Sequence, residues 1–343
     1  MQRRLYLTPR QVNLLLEILV LAAIVSGLVS WVVPLSSARV VTVVHAIVGL
    51  LILAVTPLKA KGSVRTGLRR GRRSRWVSVA FGLLVLGTIA LGVAHVIGSW
   101  FGTGLWTPLW THLLLGFITI PLLIWHVLAR PVRPKLTDLD RRGFLTTSVA
   151  AAVSGAVLVT QEVTLDAFGF RGGERAGTGS IETASFNPAA MPQVQWLNDR
   201  APQNTSSDDW PLSIEGEAVS INSLVSLARP VTARLDCTGG WHSIQNWDAV
   251  ALSELLGQQV ANRPEARSIK VTSETGYSRL YSVEEAGSLF LAVGYNGEQL
   301  LRGHGAPVRV VAPNRRGPNW VKWVVDVKLS NRPAWLQLPL PPT

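Results

Sequence analysis

The residues of this 343-residue chain best suited to bind a metal are one cysteine and four of its six histidines. Cys237 stands alone, so no intrachain disulfide can form, and a lone thiol is either a soft metal ligand or a small buried hydrophobe. His45, His95, His112 and His126 fall in or at the edges of long apolar runs. An ionisable side chain there is costly, and a neutral imidazole is a good metal ligand, so each of these positions asks for a function.

The runs that carry them are long enough to cross a bilayer, near 12–33, 40–58, 76–99, 105–129 and 144–165. The fifth is the least hydrophobic because of its Ala, Ser and Thr content. Residues 1–170 hold 17 Lys/Arg against 5 Asp/Glu, and residues 171–343 hold 16 against 16. The net charge of +12 therefore belongs to the apolar half, where it reads as membrane topology and excludes a nucleic-acid footprint. Arg3, Arg4 and Arg10 precede the first run, and Arg39 alone separates the first two. Lys59, Lys61, Arg65, Arg69, Arg70, Arg72, Arg73 and Arg75 crowd the next connection, 100–105 is uncharged and 130–142 is basic again. The alternation predicts a cytoplasmic N-terminus and everything after the fifth helix outside. Trp31, Trp76, Trp100, Trp106 and Trp110 mark span ends, the headgroup level.

With that topology, His45, His95 and His112 lie at one depth, about five or six residues in from the outer ends of their helices. His45 and His112 share the form His-x-x-x-Gly, with Gly49 and Gly116 one turn on, where a missing side chain lets a flat macrocycle approach. The membrane half resembles two-haem cytochromes b, which place histidines about 14 residues apart on each of two helices, roughly 21 Å. His112 and His126 keep that spacing, but Lys59 stands where the second helix would need its partner. The reading is one outer b-type haem on His45 and His112, with His95 as the competing ligand, against polar interhelical contacts without haem. His126 reads as interfacial.

Residues 171–207 are rich in Gly, Ser, Asn and Pro and read as a linker. Beyond them, strand-like stretches at 211–215, 231–237, 268–273, 277–282, 289–295, 307–312 and 320–329 predict a strand-rich α+β domain. It has a short helix near 250–258 and another opening at the Ser282–Glu285 capping box. Asn296-Gly297 signals a hairpin. Val321, Trp323, Val325, Val327 and Leu329 should share one face of the last strand.

Three segments of this domain, LDCTGGWHSIQNWDAVALSELL, LAVGYNGEQLLRGHGAPVRVVAP and NWVKWVVDVKL, resemble the molybdopterin-binding domain of the sulfite oxidase superfamily over about 208–335. The resemblance implies that Cys237 is a direct molybdenum ligand and the catalytic centre, beside the pterin dithiolene and oxo groups. It also implies that His304, Arg309 and Lys322 hold the pterin and its phosphate. Arg315 and Arg316 either join them or form a solvated surface pair. His242 and Tyr277 either face the metal or are an exposed loop His and a strand Tyr. Where the methionine-sulfoxide reductase branch has an acidic residue, this chain has Gly239. Where animal and plant sulfite oxidases have Asn and Arg, it has Gly240 and Trp241, so neither activity is implied.

Just before the fifth span, DRRGFLTTSVAAAV resembles a twin-arginine export signal placed internally, with Arg141 and Arg142 followed by Phe144 and Leu145. The other reading is two more cytoplasmic arginines. No small-residue cleavage site follows, so the span stays as an anchor.

The resulting expectation is an all-α five-helix transmembrane bundle followed by a sulfite-oxidase-like molybdopterin domain. Its parts are a four-helix cytochrome b-like region (1–130), the export-like motif and fifth helix (131–170), a linker (171–207) and the oxidoreductase domain (208–343). The chain reads as a multi-pass protein of a prokaryotic cell membrane, in contact with lipid. It would couple a small sulfur- or nitrogen-containing oxide or oxyanion to the quinone pool or another electron carrier, using molybdenum–molybdopterin and haem b. The rivals are a cofactor-free binding module and a molybdoenzyme on a haem-free anchor.

Overall fold

A computed structural model describes residues 7–33, 35–61, 75–99, 107–129, 131–138, 140–195 and 199–340. Trp100, Trp106, Arg3, Arg4, Arg65, Arg69, Arg70, Arg72 and Arg73 lie outside them. The chain divides into two compact units, one closing at Ile181 and the other opening at Glu182.

The first unit is helical. The apolar runs become α1 (Pro9–Val32), α2 (Leu35–Lys59), α3 (Arg75–Ile97), α4 (Pro108–Ala129) and α5 (Arg141–Ala167). All five are long and apolar enough to cross a membrane, and α5 is the least hydrophobic. Thr8 starts α1 with a reciprocal capping box to Gln11, and Asp140 caps α5 through Gly143. Arg141 and Arg142 are thus the first residues of α5 itself, both exposed. Two cations at a helix N-terminus oppose the macrodipole, so the helix gains nothing from them locally. Val12, Leu19 and Val20 of α1 pack with Leu51, Ile52 and Val55 of α2 and Leu123 of α4. Much of the rest of the helix surface exposes large apolar side chains, including Ile18, Leu83, Leu114, Val149 and Val163, as a lipid-facing surface would.

Residues after α5 fold back within this unit. Helix α3 ends in a Schellman turn at Gly98 (φ +86°), with Gly98 N donating to His95 O and Ser99 N to Ala94 O. Against that end lies Gly172, where an added Cβ would meet Val96 O at 1.9 Å. Thr42 Oγ1 donates to Gly177 O at 2.9 Å, so part of the predicted linker is a packed segment.

The second unit is strand-rich. Arg229–Asp236 (β3) and Trp241–Ala251 (β4) form a long antiparallel hairpin, and β4 pairs antiparallel with Phe290–Tyr295 (β7). Strand β7 pairs with Arg309–Val311 (β9) and, across Asn296–Gly297, with Glu298–Gln299 (β8). In the other sheet Val324–Ser330 (β10) runs parallel to Ser213–Ile214 (β1) and antiparallel to Ser268–Ser273 (β5). Glu217–Ala218 (β2) and Ser278–Ser282 (β6) extend its two sides. Two helices, Ile221–Leu227 (α6) and Leu252–Asn262 (α7), complete the unit.

Three expectations need correction. The segment 241–249, left without structure by the sequence pattern, and the start of the helix expected near 250–258 form the longest of these strands, Trp241–Ala251. The Ser282 capping box forms with both its halves, but it starts a 3-10 turn rather than an α-helix. The last strand begins only at Val324, because Trp323 adopts a left-handed φ of +52° and the register shifts between Val324 and Asp326. Val324 is therefore buried where alternation would have buried Val325.

Candidate functional site

The thiol of Cys237 sits at the tip of the β3–β4 hairpin. Cys237 N donates to Trp241 O (2.9 Å) and Gly240 N donates to Cys237 O (3.1 Å), which closes the turn. Gly240 at φ +87° supplies the conformation the turn requires, and Trp241 goes into the core. The turn thus offers backbone N–H groups and no charged side chain. One of them, Gly239 N, donates to Cys237 Sγ at 3.3 Å, and the cysteine stays half-buried. Burial pushes the thiol pKa up, while Gly239 N–H and the charges of Arg316 and Lys322 pull it down.

A second turn seats against this tip. At Gly317 a Cβ would stand 3.3 Å from Cys237 Cα, a tight fit for any side chain. Tyr277 Oη donates to Pro318 O and Tyr281 Oη to Asn319 O, both at 2.5 Å, and Arg279 Nε donates to Asn319 Oδ1 at 3.1 Å. Tyr277 is therefore a brace for the turn. Buried Arg316 pairs with Asp236 (3.4 Å) and donates to Cys237 O (3.4 Å), whereas Arg315 makes a two-pronged pair with Glu285 at 2.9 and 2.6 Å. The two arginines are not a solvated pair. His242 is buried in β4, opposite Asp236.

The three other residues expected at the pterin also come together. At Gly305 (φ +109°) a Cβ would meet Arg309 Cβ at 3.0 Å and Lys322 Cβ at 3.1 Å, so the glycine lets them approach. Arg309 is fully buried, donates to His304 O at 2.7 Å and Trp320 O at 3.3 Å, and lies over both the Trp247 and Trp320 rings, at 5.1 and 5.5 Å from their centres. Burial lowers its pKa to about 9. His304 Nε2 bonds Met191 O at 3.0 Å and its Nδ1 lies 3.4 Å from Tyr295 Oη. Burial, then the Arg309 charge, lowers its pKa to about 4, so the ring is neutral. Lys322 is half-buried and donates to Val194 O (2.8 Å) and Gly303 O. Burial, then Arg309, lowers its pKa to about 7, opposed by Cys237 and Asp199. Lys322 and Arg316 are the cations whose fields reach the thiol.

Residues 199–336 match the family described as oxidoreductase molybdopterin binding domain. The second unit carries that domain. By its description, that domain is one found in molybdopterin-binding oxidoreductases. Among solved structures, the chain is similar to the sulfane dehydrogenase SoxCD from Paracoccus pantotrophus, at 24% identity and a TM-score of 0.34. That likeness covers 38% of this chain and 40% of the other, so the chain spans about two fifths of the protein it matches.

In the helical unit the histidines divide by tautomer. Thr88 O can only accept, so His112 Nδ1, at 2.7 Å from it, carries the proton and leaves the lone pair on Nε2. Ser26 Oγ donates to Ala22 O at 2.6 Å, so it accepts from His45 Nδ1 at 3.1 Å with the same result. The two rings stand 6.0 Å apart between centres, with planes at 83°. His95 is the reverse: its Nε2 gives its proton to Gly179 O at 3.1 Å. His126 is buried and stacks on Phe81 at 5.4 Å, so it is packed inside the unit rather than interfacial. Among the described residues no three His, Cys, Asp or Glu side chains form a metal-binding group.

Proposed function

We propose that the chain is a membrane-bound molybdenum oxidoreductase, multi-pass in a prokaryotic cell membrane, with the N-terminus cytoplasmic and the second unit outside. The observation that carries the reading is a lone, half-buried cysteine, in a molybdopterin-binding domain, whose sulfur receives a backbone N–H and the fields of two cations. Burial and Asp236 keep the metal-free thiol protonated on balance. A coordinated thiol is deprotonated outright, and the Gly239 N–H and the two cations then stabilise the thiolate, which suits a soft-metal ligand. When bound, the molybdenum–pterin group supplies two-electron redox chemistry and the haem one-electron carriage.

The chain's own residues do the positioning. Cys237 holds the metal from the hairpin tip, and Gly239 N–H and Arg316 fix the sulfur's environment. Lys322 is the residue best placed to hold the phosphate of the pterin, because it is a partly buried cation that no directly bonded carboxylate neutralises. His304 and Arg309 would act on the pterin through the backbone they brace, since both are fully buried whereas Lys322 is only half-buried. Tyr277 and Tyr281 keep the 317–319 turn closed against Cys237.

His45 and His112 suit one haem iron. They would be the residues to hold it, since their ring centres stand 6.0 Å apart, a separation that one metal could bridge. Gly49 and Gly116, one turn along, have nothing within 4 Å of an added Cβ, which leaves space for a flat ring. Electrons would pass to the quinone pool or another carrier, and the substrate is a small sulfur- or nitrogen-containing oxide or oxyanion. Arg141 and Arg142, which do nothing for their own helix, serve as a twin-arginine export signal for a domain folded around its cofactor. Molybdenum and haem content of one purified sample tests the whole reading: about one of each per chain supports it. Absence of molybdenum after full maturation leaves a cofactor-free module, and molybdenum without haem leaves a plain anchor.

A further inference from the structure

The helices that carry His45 and His112 do not by themselves explain how the rings are held. Each ring rests on a different, neighbouring helix, at a place with the same two parts. On α1, Ser26 Oγ takes the His45 Nδ1 proton, and at the next residue, Gly27, an added Cβ would stand 3.0 Å from His45 Cε1 and 3.4 Å from its Nδ1. On α3, Thr88 O takes the His112 Nδ1 proton, and one turn on, at Gly92, a Cβ would stand 3.1 Å from His112 Nδ1 and 3.2 Å from its Cε1. Contacts that short are rarely tolerated, so a side chain at either glycine would have to push the ring. The oxygen sets the tautomer and the bare backbone sets the plane.

We propose that Ser26 with Gly27 and Thr88 with Gly92 are positioning residues that seat the His45 and His112 imidazoles and hold their planes close to perpendicular about a shared iron. The proposal rests on the haem reading above and adds to it the orientation of the ligands and the residues that impose it. Outer contacts of this kind fix ring orientation and ligand basicity, and losing one typically weakens metal binding about 10–100-fold. The orientation has an electronic consequence. Perpendicular axial imidazoles leave two iron d orbitals nearly equal in energy, whereas parallel ones split them, so the oxidised low-spin haem differs in its electron paramagnetic resonance.

The test uses the full chain in detergent, with Gly27→Ala, Gly92→Ala and, as a control on the same helix as Gly92, Gly82→Ala, where a Cβ meets nothing within 4 Å. Alanine favours helix over glycine, so a loss in either variant cannot be blamed on weaker helices, and circular dichroism checks that directly. The wild-type protein is expected to show a strongly anisotropic low-spin signal at large g. Gly27→Ala and Gly92→Ala are expected to shift it toward a rhombic signal or to lower haem retention about tenfold or more, with Gly82→Ala unchanged. A haem-containing wild type with a rhombic signal would overturn the seating while leaving the haem in place. So would haem content and spectrum unaltered in both glycine variants. A wild type without haem would remove the iron reading itself and the seating with it.

Discussion

The two candidate redox sites are built in opposite ways. Cys237 is positioned locally, by a five-residue turn whose own N–H groups close the hairpin and touch the sulfur. His45 and His112 are positioned from a distance, by oxygens and glycines 18 to 24 residues away on other helices. A mid-helix N–H is already used within its helix, so only carbonyl lone pairs and side-chain oxygens remain to seat a neighbour's ring, as Thr88 O and Ser26 Oγ do, whereas a turn has unpaired N–H groups to aim. Ligand precision in a bundle therefore comes from neighbours, and in a hairpin from the loop itself.

The largest expected effect breaks the helical side of that contrast. His45→Ala and His112→Ala should each abolish the reduced haem absorption bands, while His95→Ala and His126→Ala should keep them, read by visible spectroscopy of the purified protein. Haem lost with His95 and retained without His45 would move the iron to α3. Replacing Arg141 and Arg142 by lysine keeps the charge but should leave most of the second unit inaccessible to protease added outside cells. Digestion equal to wild type would make the pair plain topological charge.

A smaller effect sharpens the hairpin side. Gly240→Ala places a Cβ at φ +87° and should cost about 1–2 kcal/mol of local stability, with a matching loss of molybdenum retention. Metal content equal to wild type after thermal challenge would show that the turn tolerates strain. A further effect is one of pH. The cofactor-free fold lowers the Lys322 pKa from 10.5 to about 7, so between those values the unfolded chain holds more protons than the folded one. Stability of the cofactor-free protein should therefore rise with pH from about 7 toward 10, and Lys322→Met should flatten that slope in melting curves. A slope unchanged in the variant would assign it to another group.

Much of this was legible in the sequence, for reasons that mark where legibility ends. The five helices announce themselves because lipid demands unbroken apolar runs, and the Asn296-Gly297 hairpin because its turn demands those residues. Strand β4 stayed hidden because its sequence, WHSIQNWDAVA, places the polar residues His242, Ser243 and Gln245 at buried positions. Its Ser243 and Gln245 side chains bond Ala184 O at 3.1 and 2.7 Å, partners some 60 residues away that no local pattern reveals. The left-handed Trp323 broke the alternation of the last strand in the same unannounced way. At the sites, the spacing of His45 and His112 was visible, but which imidazole nitrogen keeps its lone pair depends on Ser26 and Thr88. Likewise His304 and Arg309 carry the right chemistry for a phosphate, but nothing local in the sequence reveals their burial against Met191, Trp247 and Trp320.

The central claim is that Cys237 binds the molybdenum, and sulfur coordination of the metal tests it most directly. Molybdenum X-ray absorption of the wild type should show one more sulfur neighbour than that of Cys237→Ser, with the pterin retained, the fold near normal and turnover abolished, because a hydroxyl is a harder and poorer ligand. The same number of sulfur neighbours in both proteins, or undiminished turnover in the variant, would contradict it.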